Sequence, residues 1–148
     1  MLRLQELELV DASVARTATF GDAATALCAS ALSAVAVLDE QRRVVGLFTE
    51  DDLLAGLFPR YLDELRHTAF APNDVQAAAD RAREAASEPV ERHMRDPITI
   101  DVDSSVLHAA EVFLHCEWGA LAVVEDDRFV GMLAQVEFCR RLLAALGS

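Results

Sequence analysis

The chain repeats one order of small, apolar and turn residues at an interval of 86 positions, and this limits its fold more than any other feature. Residues 33–39 read Ser-Ala-Val-Ala-Val-Leu-Asp, and residues 119–125 read Gly-Ala-Leu-Ala-Val-Val-Glu. An interval one residue shorter carries residues 44–47 onto residues 129–132. A fixed interval of this kind is typical of a chain that folds one supersecondary unit twice.

The first unit reads as a strand, a helix, two further strands and a closing helix. The first strand is Ser13–Ala15, and a helix opens at Thr19, a residue type favoured at helix starts. The apolar runs 35–38 and 44–48 have the length of strands, and turn residues between them favour an antiparallel hairpin. The closing helix is predicted for residues 51–58.

The second unit follows the same order. Its first strand is Thr99–Asp101, a helix cap lies within residues 103–105, and apolar runs cover 121–124 and 129–133. A closing helix is predicted for 136–146. The fold class is therefore α/β (α+β), with two β-α-β-β-α repeats. One unit covers only one face of its sheet with helices, so we expect the two units to pack sheet to sheet into one module.

A longer segment separates the two units. Pro59 interrupts the closing helix of the first unit. Asn73 or Asp74 can cap a helix over residues 75–86, and the absence of Gly and Ser runs indicates a structured linker. The predicted boundaries are a first repeat at 7–58, a helical linker at 59–89 and a second repeat at 90–146.

Charge and composition limit the partners that the protein is expected to bind and the cellular compartment in which it is expected. A net charge of −12 repels nucleic acid and anionic lipid, so we expect neither nucleic acid nor a membrane as partner. The most apolar stretch, residues 31–38, is too short to span a bilayer. The three cysteines, Cys28, Cys116 and Cys139, fit neither a disulfide framework nor a zinc pattern, which favours reduced thiols in a cytoplasmic protein.

Both units resemble the CBS domain, which is named after cystathionine β-synthase. In the second unit the resemblance lies in Met-Arg-Asp-Pro-Ile-Thr-Ile at 94–100, Ala-Val-Val at 122–124 and Phe-Val-Gly-Met at 129–132. In the first it lies in Thr-Phe-Gly-Asp-Ala at 19–23 and Val-Gly-Leu-Phe-Thr-Glu-Asp-Asp-Leu at 45–53. The chain is identified as a tandem CBS-domain pair (a Bateman module) of the stand-alone prokaryotic type.

The resemblance implies a disc of two repeats that commonly forms a homodimer. Such modules commonly bind AMP, ADP, ATP or S-adenosylmethionine in clefts between the repeats. They usually act as regulatory sensors for a separate target protein, such as an enzyme, a channel or a transporter. The resemblance implies an adenine nucleotide as a ligand and no obligatory cofactor.

The family's ligand-binding pattern matches the first unit better than the second. It places a Ser or Thr of the first strand and the backbone of the second strand against adenine, and a Thr-x-x-Asp segment against ribose and phosphate. The matching residues of the first unit are Ser13, Ala34, Val35, Ala36, Thr49 and Asp52. The matching residues of the second unit are Thr99, Gly119, Ala120, Leu121 and Glu137. Because Ala134 lacks the expected hydroxyl and Glu137 replaces the Asp, we expect binding mainly by the first unit.

Two of these side chains, and a further candidate, Arg16, have alternative interpretations. The spacing of Thr49 and Asp52 is also that of a helix capping box, and the two roles can coexist. Arg16 follows the first strand and is a candidate for binding a phosphate. Its alternative is a weak ion pair on the surface.

No catalytic or metal-binding residues emerge from the sequence. It contains no Walker loop, no Gly-x-Ser-x-Gly and no His-Glu-x-x-His. His108 and His115 lie seven positions apart, whereas a helical metal site favours a spacing of four. The predicted function is a non-catalytic regulatory module that binds an adenosyl ligand between the repeats. The alternative is a ligand-free dimerisation or protein-interaction module.

Overall fold

The computed structural model describes residues 2–58 and 73–147, and the predicted β-α-β-β-α order is confirmed in both repeats. A short 3-10 helix, Leu4–Glu6 or Val90–Arg92, precedes the first strand of each repeat. The other elements are, in chain order, β1 (Ser13–Ala15), α1 (Phe20–Ser30), β2 (Ala34–Leu38), β3 (Val44–Thr49), α2 (Glu50–Leu57), α3 (Asn73–Ala86), β4 (Thr99–Asp101), α4 (Val106–His115), β5 (Ala120–Glu125), β6 (Arg128–Ala134) and α5 (Gln135–Leu146).

The two three-stranded sheets have the same pairing. In each sheet the first strand runs parallel to the second, and the second runs antiparallel to the third. Ser13 pairs with Ala36, and Thr99 pairs with Ala122. The interval of 86 residues seen in the sequence is therefore kept in three dimensions. Both hairpins also shift register at the equivalent place.

Local hydrogen bonds fix where most of the helices begin. At α1, the Asp22 amide donates to the Thr19 hydroxyl and the Thr19 amide donates to the Asp22 carboxylate, both at 3.1 Å. At α4, the His108 amide donates to the Ser105 hydroxyl at 3.0 Å. Helix α5 begins after Ala134 without a side-chain cap. A cap of this kind stabilises a helix by about 1 kcal/mol, so α5 depends more on packing.

The core lies between the two sheets and continues beneath the helices of each repeat. Along β5, Ala120 and Ala122 pack in a cluster shared with the first repeat, whereas Leu121 and Val123 pack with α4 and α5. Successive side chains of a strand point to opposite faces, so the small residues face the other sheet. Alanine lets the two sheets approach closely, and the predicted sheet-to-sheet packing is confirmed.

Each repeat sends the segment before its first strand across to the opposite repeat. Val10 and Met132 exchange backbone hydrogen bonds of 2.9 and 2.7 Å, and Leu47 and Arg95 exchange bonds of 3.0 and 2.9 Å. The third strand of each sheet thereby gains a partner from the other repeat. We call residues 2–10 and 90–95 the crossing segments.

Two equivalent glycines let the crossing segments pass close to the sheets. A Cβ on Gly46 would lie 2.4 Å from the Sδ of Met94, and a Cβ on Gly131 would lie 2.6 Å from the Cβ of Leu9. The Met94 sulfur is near the end of a flexible side chain, which can rotate away. The Cβ of Leu9 is fixed to its backbone, so relief there requires the crossing segment to move.

We therefore expect Gly131→Ala to lower the free energy of unfolding more than Gly46→Ala. Overpacking costs about 1–3 kcal/mol, and we expect Gly131→Ala near the upper end and Gly46→Ala near the lower end. Urea denaturation of the two variants measures the difference. Equal losses of free energy of unfolding would show that the first crossing segment moves aside as easily as the Met94 side chain.

Helix α3 of the linker packs on α1 and α2 of the first repeat. The Arg81 Nε donates to the carbonyl of Gly56 at 3.2 Å, and the Arg81 Nη1 pairs with Glu88 at 2.9 Å. A Cβ on Gly21 would lie 3.0 Å from the carbonyl oxygen of Ala86, so α1 has no side chain where α3 passes. The linker helix is therefore part of the first repeat's packing.

Helix boundaries differ from the prediction by one or two residues. The linker helix begins at Asn73, although Asn73 or Asp74 was predicted as its cap, with the helix itself at 75–86. Helices α2 and α5 each begin one residue earlier than predicted, and α2 ends at Leu57. Pro59, predicted to interrupt the closing helix, lies with residues 60–72 outside the described residues.

The carboxylate of Glu88 joins α3 to the second crossing segment. Its Oε2 lies 2.7 Å from the His93 Nε2, and its Oε1 lies 2.9 Å from the Arg81 Nη1. The hydrogen bond with His93, followed by the Arg81 charge, lowers the pKa of Glu88 below its ordinary value of 4.5, while burial acts in the opposite direction. The charged form of Glu88 is therefore stabilised in the folded protein.

We expect this stabilisation to be lost in acid. A carboxyl group with a lowered folded-state pKa stabilises the fold above its unfolded-state pKa, and loses this effect as the pH falls through the folded-state value. The wild type should exceed Glu88→Gln in free energy of unfolding at neutral pH, and the difference should shrink below pH 4.5. Glu84→Gln is the control, because Glu84 is an exposed carboxylate near the end of α3 and lies 3.9 Å from the same Arg81. If the difference in free energy of unfolding between the wild type and Glu88→Gln stays constant with pH, the lowered pKa of Glu88 is contradicted.

Candidate functional site

A cavity of about 350 Å³ opens where the two repeats meet, at the turns that follow β3 and β6. Its volume falls in the range of about 300–1,000 Å³ that is usual for small-molecule sites. We call it the inter-repeat cavity. Both repeats line it, with Ser33, Thr49, Glu50, Asp51, Cys116, Glu117, Trp118, Gly119 and Gln135.

The walls of the cavity are built by two equivalent turns. The Glu50 amide at the start of α2 donates to the Ser33 carbonyl at 3.1 Å, and the Gln135 amide at the start of α5 donates to the Gly119 carbonyl at 2.9 Å. The Ser33 hydroxyl donates to the Trp118 carbonyl and so ties the two repeats together. Gly119 has a φ of +67°, a left-handed conformation that glycine adopts without strain.

Carboxylates dominate the charge of the inter-repeat cavity. Glu50 and Asp51 border it from the first turn of α2, Glu117 borders it from the loop before β5, and all three are exposed. None of the lining residues is an arginine, a lysine or a histidine. The two helix N-termini supply about half a positive charge each, which is less than three carboxylates. The cavity therefore favours neutral or cationic groups over phosphate.

Thr49 and Asp52 close the turn at the start of α2. The Thr49 amide donates to Asp52 Oδ2 at 2.9 Å, and the Asp52 amide donates to the Thr49 hydroxyl at 3.2 Å. The Thr49 hydroxyl also donates to the Asp52 carboxylate at 2.9 Å, and Thr49 is buried. The capping-box interpretation of this motif is confirmed.

Arg95 of the second crossing segment binds the same carboxylate from the opposite repeat. Its Nε donates to Asp52 Oδ2 at 3.0 Å and its Nη2 donates to Asp52 Oδ1 at 2.8 Å, a bidentate pair. Its guanidinium lies 5.0 Å from the centre of the Trp118 ring, within cation–π distance. The hydrogen bond with Asp52 raises the pKa of Arg95, so the guanidinium stays charged.

Asp52 consequently has little capacity left for a ribose. Two donors of Thr49 and two of Arg95 already point at its oxygens, and a carboxylate offers about four lone-pair positions. A ribose diol can bind both oxygens only if Arg95 leaves its bidentate position. A ligand that binds both oxygens of Asp52 must therefore compete with a bond between the repeats.

The equivalent carboxylate of the second repeat, Glu137, is also occupied by the protein. It is buried, and its Oε2 accepts the Glu8 amide of the first crossing segment at 3.1 Å. Its Oε1 accepts the Arg140 Nη1 at 3.0 Å. Ala134, at the position of Thr49, supplies no hydroxyl. The second repeat thus repeats the architecture of the turn without its polar groups.

Of the residues predicted from the family pattern, the structure places Thr49 and Gly119 at the inter-repeat cavity. Arg16 forms an exposed ion pair with Glu91 at 3.1 Å. Thr99 lies on the exposed side of β4 and borders a separate cavity of about 210 Å³. Ser13 is half-buried on β1, and five further predicted residues are fully buried in β2 and β5: Ala34, Val35, Ala36, Ala120 and Leu121.

Several groups at the cavity were not predicted from the sequence. Glu50 and Asp51 are adjacent to Thr49, so a search for charged neighbours of the motif would have found them. Glu117 precedes the second strand of the second repeat, and only its position in the fold brings it to the turn of the first. Arg95 lies 43 positions from Asp52, and no sequence signal indicates this ion pair.

The described part of the chain contains neither a metal-binding cluster nor a helix that could span a bilayer. Residues 2–58 and 73–147 contain no group of three or more His, Cys, Asp or Glu side chains arranged to hold a metal ion. No helix in these ranges is both long and apolar enough to cross a bilayer. Cys28, Cys116 and Cys139 are all free, so no disulfide constrains the repeats.

Both repeats match the sequence model of one family, the CBS domain, at residues 10–58 and 90–144. The match spans more than half of the chain, which therefore belongs to the CBS-domain family. CBS-domain pairs are generally regulatory modules. No curated protein matches the chain.

Solved structures share the fold over nearly the whole chain. A Kribbella flavida CBS domain-containing protein of unknown function is 17% identical, with a TM-score of 0.72, covering 97% of this chain and 99% of its own. A Vibrio cholerae protein described as an acetoin utilization protein (AcuB) is 19% identical, with a TM-score of 0.71, covering 99% and 94%. The CBS-pair protein CBSX2 of Arabidopsis thaliana is 21% identical, with a TM-score of 0.70, covering 100% and 94%. At these identities the likeness concerns the fold alone.

The bond between Asp52 and Arg95 should contribute measurably to stability. Arg95→Met keeps an apolar stem against Trp118 and removes the guanidinium, so we expect a loss of about 1.5–3 kcal/mol in the free energy of unfolding. Arg16→Met is the control, because the ion pair of Arg16 with Glu91 is exposed at both ends and should contribute less to stability. Denaturant unfolding of both variants measures these losses, and equal losses would contradict a special role for Arg95.

Proposed function

We propose that this CBS-domain pair is a non-catalytic regulatory module that binds one adenosyl ligand in the inter-repeat cavity, mainly through the first repeat. The observation that carries the proposal is a cavity of about 350 Å³ lined by both repeats, beside the Thr49–Asp52 turn. A ligand at this place touches both repeats at once. It therefore favours one relative arrangement of the repeats over others, which is how a binding module reports a ligand.

The charge of the cavity supports a particular class of adenosyl ligand. Glu50, Asp51 and Glu117 oppose a polyphosphate. Arg95, which lies over Trp118, is already paired with Asp52. A sulfonium or an uncharged adenosyl group meets no such opposition. We therefore propose S-adenosylmethionine as the preferred ligand, followed by adenosine and AMP, with ADP and ATP weakest.

The exchange of partners at Asp52 supplies the mechanism of the response. The ribose hydroxyls take the place of the Arg95 guanidinium on the Asp52 carboxylate. Arg95 belongs to the crossing segment that pairs with Leu47 of β3, so its release loosens one bond between the repeats while the ligand adds new ones. The difference between these two arrangements is the signal available to a separate target protein.

Isothermal titration calorimetry with S-adenosylmethionine, adenosine, AMP, ADP and ATP tests the proposal. We expect binding of S-adenosylmethionine to the wild type, and a loss of at least about tenfold in affinity in Asp52→Ala. In the double variant Glu50→Gln/Glu117→Gln, we expect the affinity for S-adenosylmethionine to fall relative to the affinity for adenosine, because the negative charge of the cavity is reduced.

The control for these titrations is Glu40→Gln, which removes an exposed carboxylate from the β2–β3 hairpin turn. It should leave all affinities unchanged. Undiminished binding in Asp52→Ala would remove Asp52 from the site. Tighter binding of ATP than of S-adenosylmethionine would contradict the electrostatic argument.

The second candidate function is a ligand-free dimerisation or protein-interaction module. The occupation of Asp52 by Arg95 and of Glu137 by Glu8 favours it, because both candidate ribose partners are already bonded within the protein. The absence of a thermal shift with all five compounds, together with a stable dimer in solution, would support this candidate. A shift with any of them that is lost in Asp52→Ala would favour the first.

A further inference from the structure

The one tryptophan of the chain lies at the inter-repeat cavity and carries a buried polar atom. This atom is the indole Nε1 of Trp118, and no acceptor among the described residues lies within hydrogen-bond distance of it. A buried donor without an acceptor destabilises a fold, so such groups are uncommon in folded proteins. The indole N–H is therefore a candidate contact for a ligand of the cavity.

The fold does not require an indole at this position. The interval of 86 residues carries Trp118 back to Leu32, and both side chains pack, partly buried, against the core that the two repeats share. A leucine fills the place with apolar contacts alone. Packing therefore accounts for a large apolar side chain at position 118, whereas the flat ring and its N–H donor need a further explanation.

Arg95 connects Trp118 with the carboxylate of Asp52. Its guanidinium lies 5.0 Å from the centre of the Trp118 ring and donates to both oxygens of Asp52, at 3.0 and 2.8 Å. An adenosyl group offers the same two contacts, because its base is flat and its ribose carries two adjacent hydroxyl groups. Arg95 thus occupies, from within the chain, both groups that an adenosyl ligand can bind.

We propose that the base of the adenosyl ligand stacks on Trp118, and that Arg95 blocks this position in the free protein. The base takes the place of the guanidinium on the indole ring, while the ribose takes its place on Asp52. The ligand also brings acceptor atoms within reach of the indole N–H. This inference rests on the proposed function and deepens it, since it names the residue that selects an aromatic base and the side chain that competes with the base.

The displaced guanidinium has carboxylates to receive it. The hydrogen bond with Asp52 raises the pKa of Arg95 most, and the charges of Asp52, Asp51 and Glu117 raise it further, while burial acts in the opposite direction. Asp51 and Glu117 are exposed at the cavity. They lie close enough to Arg95 to pair with it after the exchange, so its charge stays compensated.

Calorimetric titration of adenosine into Arg95→Ala tests the competition. Removal of a competing group raises the apparent affinity of a site, so we expect the dissociation constant for adenosine to fall at least about fivefold, although the same change destabilises the fold. Adenosine is the probe because it is uncharged, so the added negative charge of the variant does not attract it. Arg16→Ala is the matched control, because it removes an exposed arginine that pairs with Glu91 of the same crossing segment. Equal affinities of Arg95→Ala and the wild type would overturn the competition.

Trp118→Leu tests the stacking, because leucine is the residue of the first repeat at the equivalent position. We expect the dissociation constants for adenosine and for S-adenosylmethionine to rise by the same factor, at least about fivefold, because both compounds carry the base. Circular dichroism compares the fold of the variant with that of the wild type. Undiminished affinity for both compounds in a folded Trp118→Leu would overturn the inference.

The fluorescence of the wild type provides a test that does not depend on the folding of a variant. Because Trp118 is the only tryptophan, tryptophan emission reports the surroundings of this ring alone. We expect adenosine to quench this emission, and Arg95→Ala, which has no guanidinium to displace, to show the same loss at lower adenosine concentrations. Unchanged emission at an adenosine concentration that saturates the calorimetric signal would overturn the stacking and leave the proposed function standing. Absence of binding of every adenosyl compound to both the wild type and Arg95→Ala would overturn the proposed function and this inference together.

Discussion

The fold depends on the exchange of backbone hydrogen bonds between each crossing segment and the opposite sheet. Without the Val10–Met132 and Leu47–Arg95 bonds, β3 and β6 would end their sheets as unpaired edges. An unpaired edge is a template for association with other chains. The exchange pairs one residue of each of these edges and ties each crossing segment to the opposite sheet. A single repeat would lack both a partner for its third strand and a cover for its sheet.

The same exchange determines the chemistry of the inter-repeat cavity. Because Arg95 is fixed by its pairing with Leu47, its guanidinium reaches Asp52 and lies over Trp118. The first crossing segment reaches Glu137 in the corresponding way, through the Glu8 amide. The acidic group of each repeat is therefore held by the other repeat.

Most of the fold was predictable, because the signals that specify it are local or repeat along the chain. The interval of 86 residues predicted two repeats with the same order of elements, and the structure keeps this interval in the pairing of both sheets. Thr19 and Thr49 were recognisable as helix caps from their immediate neighbours, and the cap of α4 was expected within residues 103–105. Helix ends were predicted less accurately, because residues around an end can join the helix without a change in the sequence pattern.

The candidate site was less predictable, for a physical reason. Thr49 and Asp52 were identified through the family pattern, yet the partner that saturates Asp52 lies 43 positions away in the opposite repeat. Glu117 and Trp118 likewise reach the first repeat only through the packing of the two sheets. Such contacts leave no periodicity in the sequence. The family pattern can therefore identify the turn at Thr49 and Asp52, whereas only the folded chain shows which groups bind the Asp52 carboxylate.

The glycines beneath α3 make the outside of the module unlike its core. Gly21 has no side chain where the linker helix passes, and Gly56 accepts a bond from Arg81 of that helix, so α3 lies on the helices of the first repeat. The second repeat has Leu107 at the position equivalent to Gly21, and that side chain is exposed. The two repeats therefore present different surfaces to a partner, although their sheets follow the same pairing.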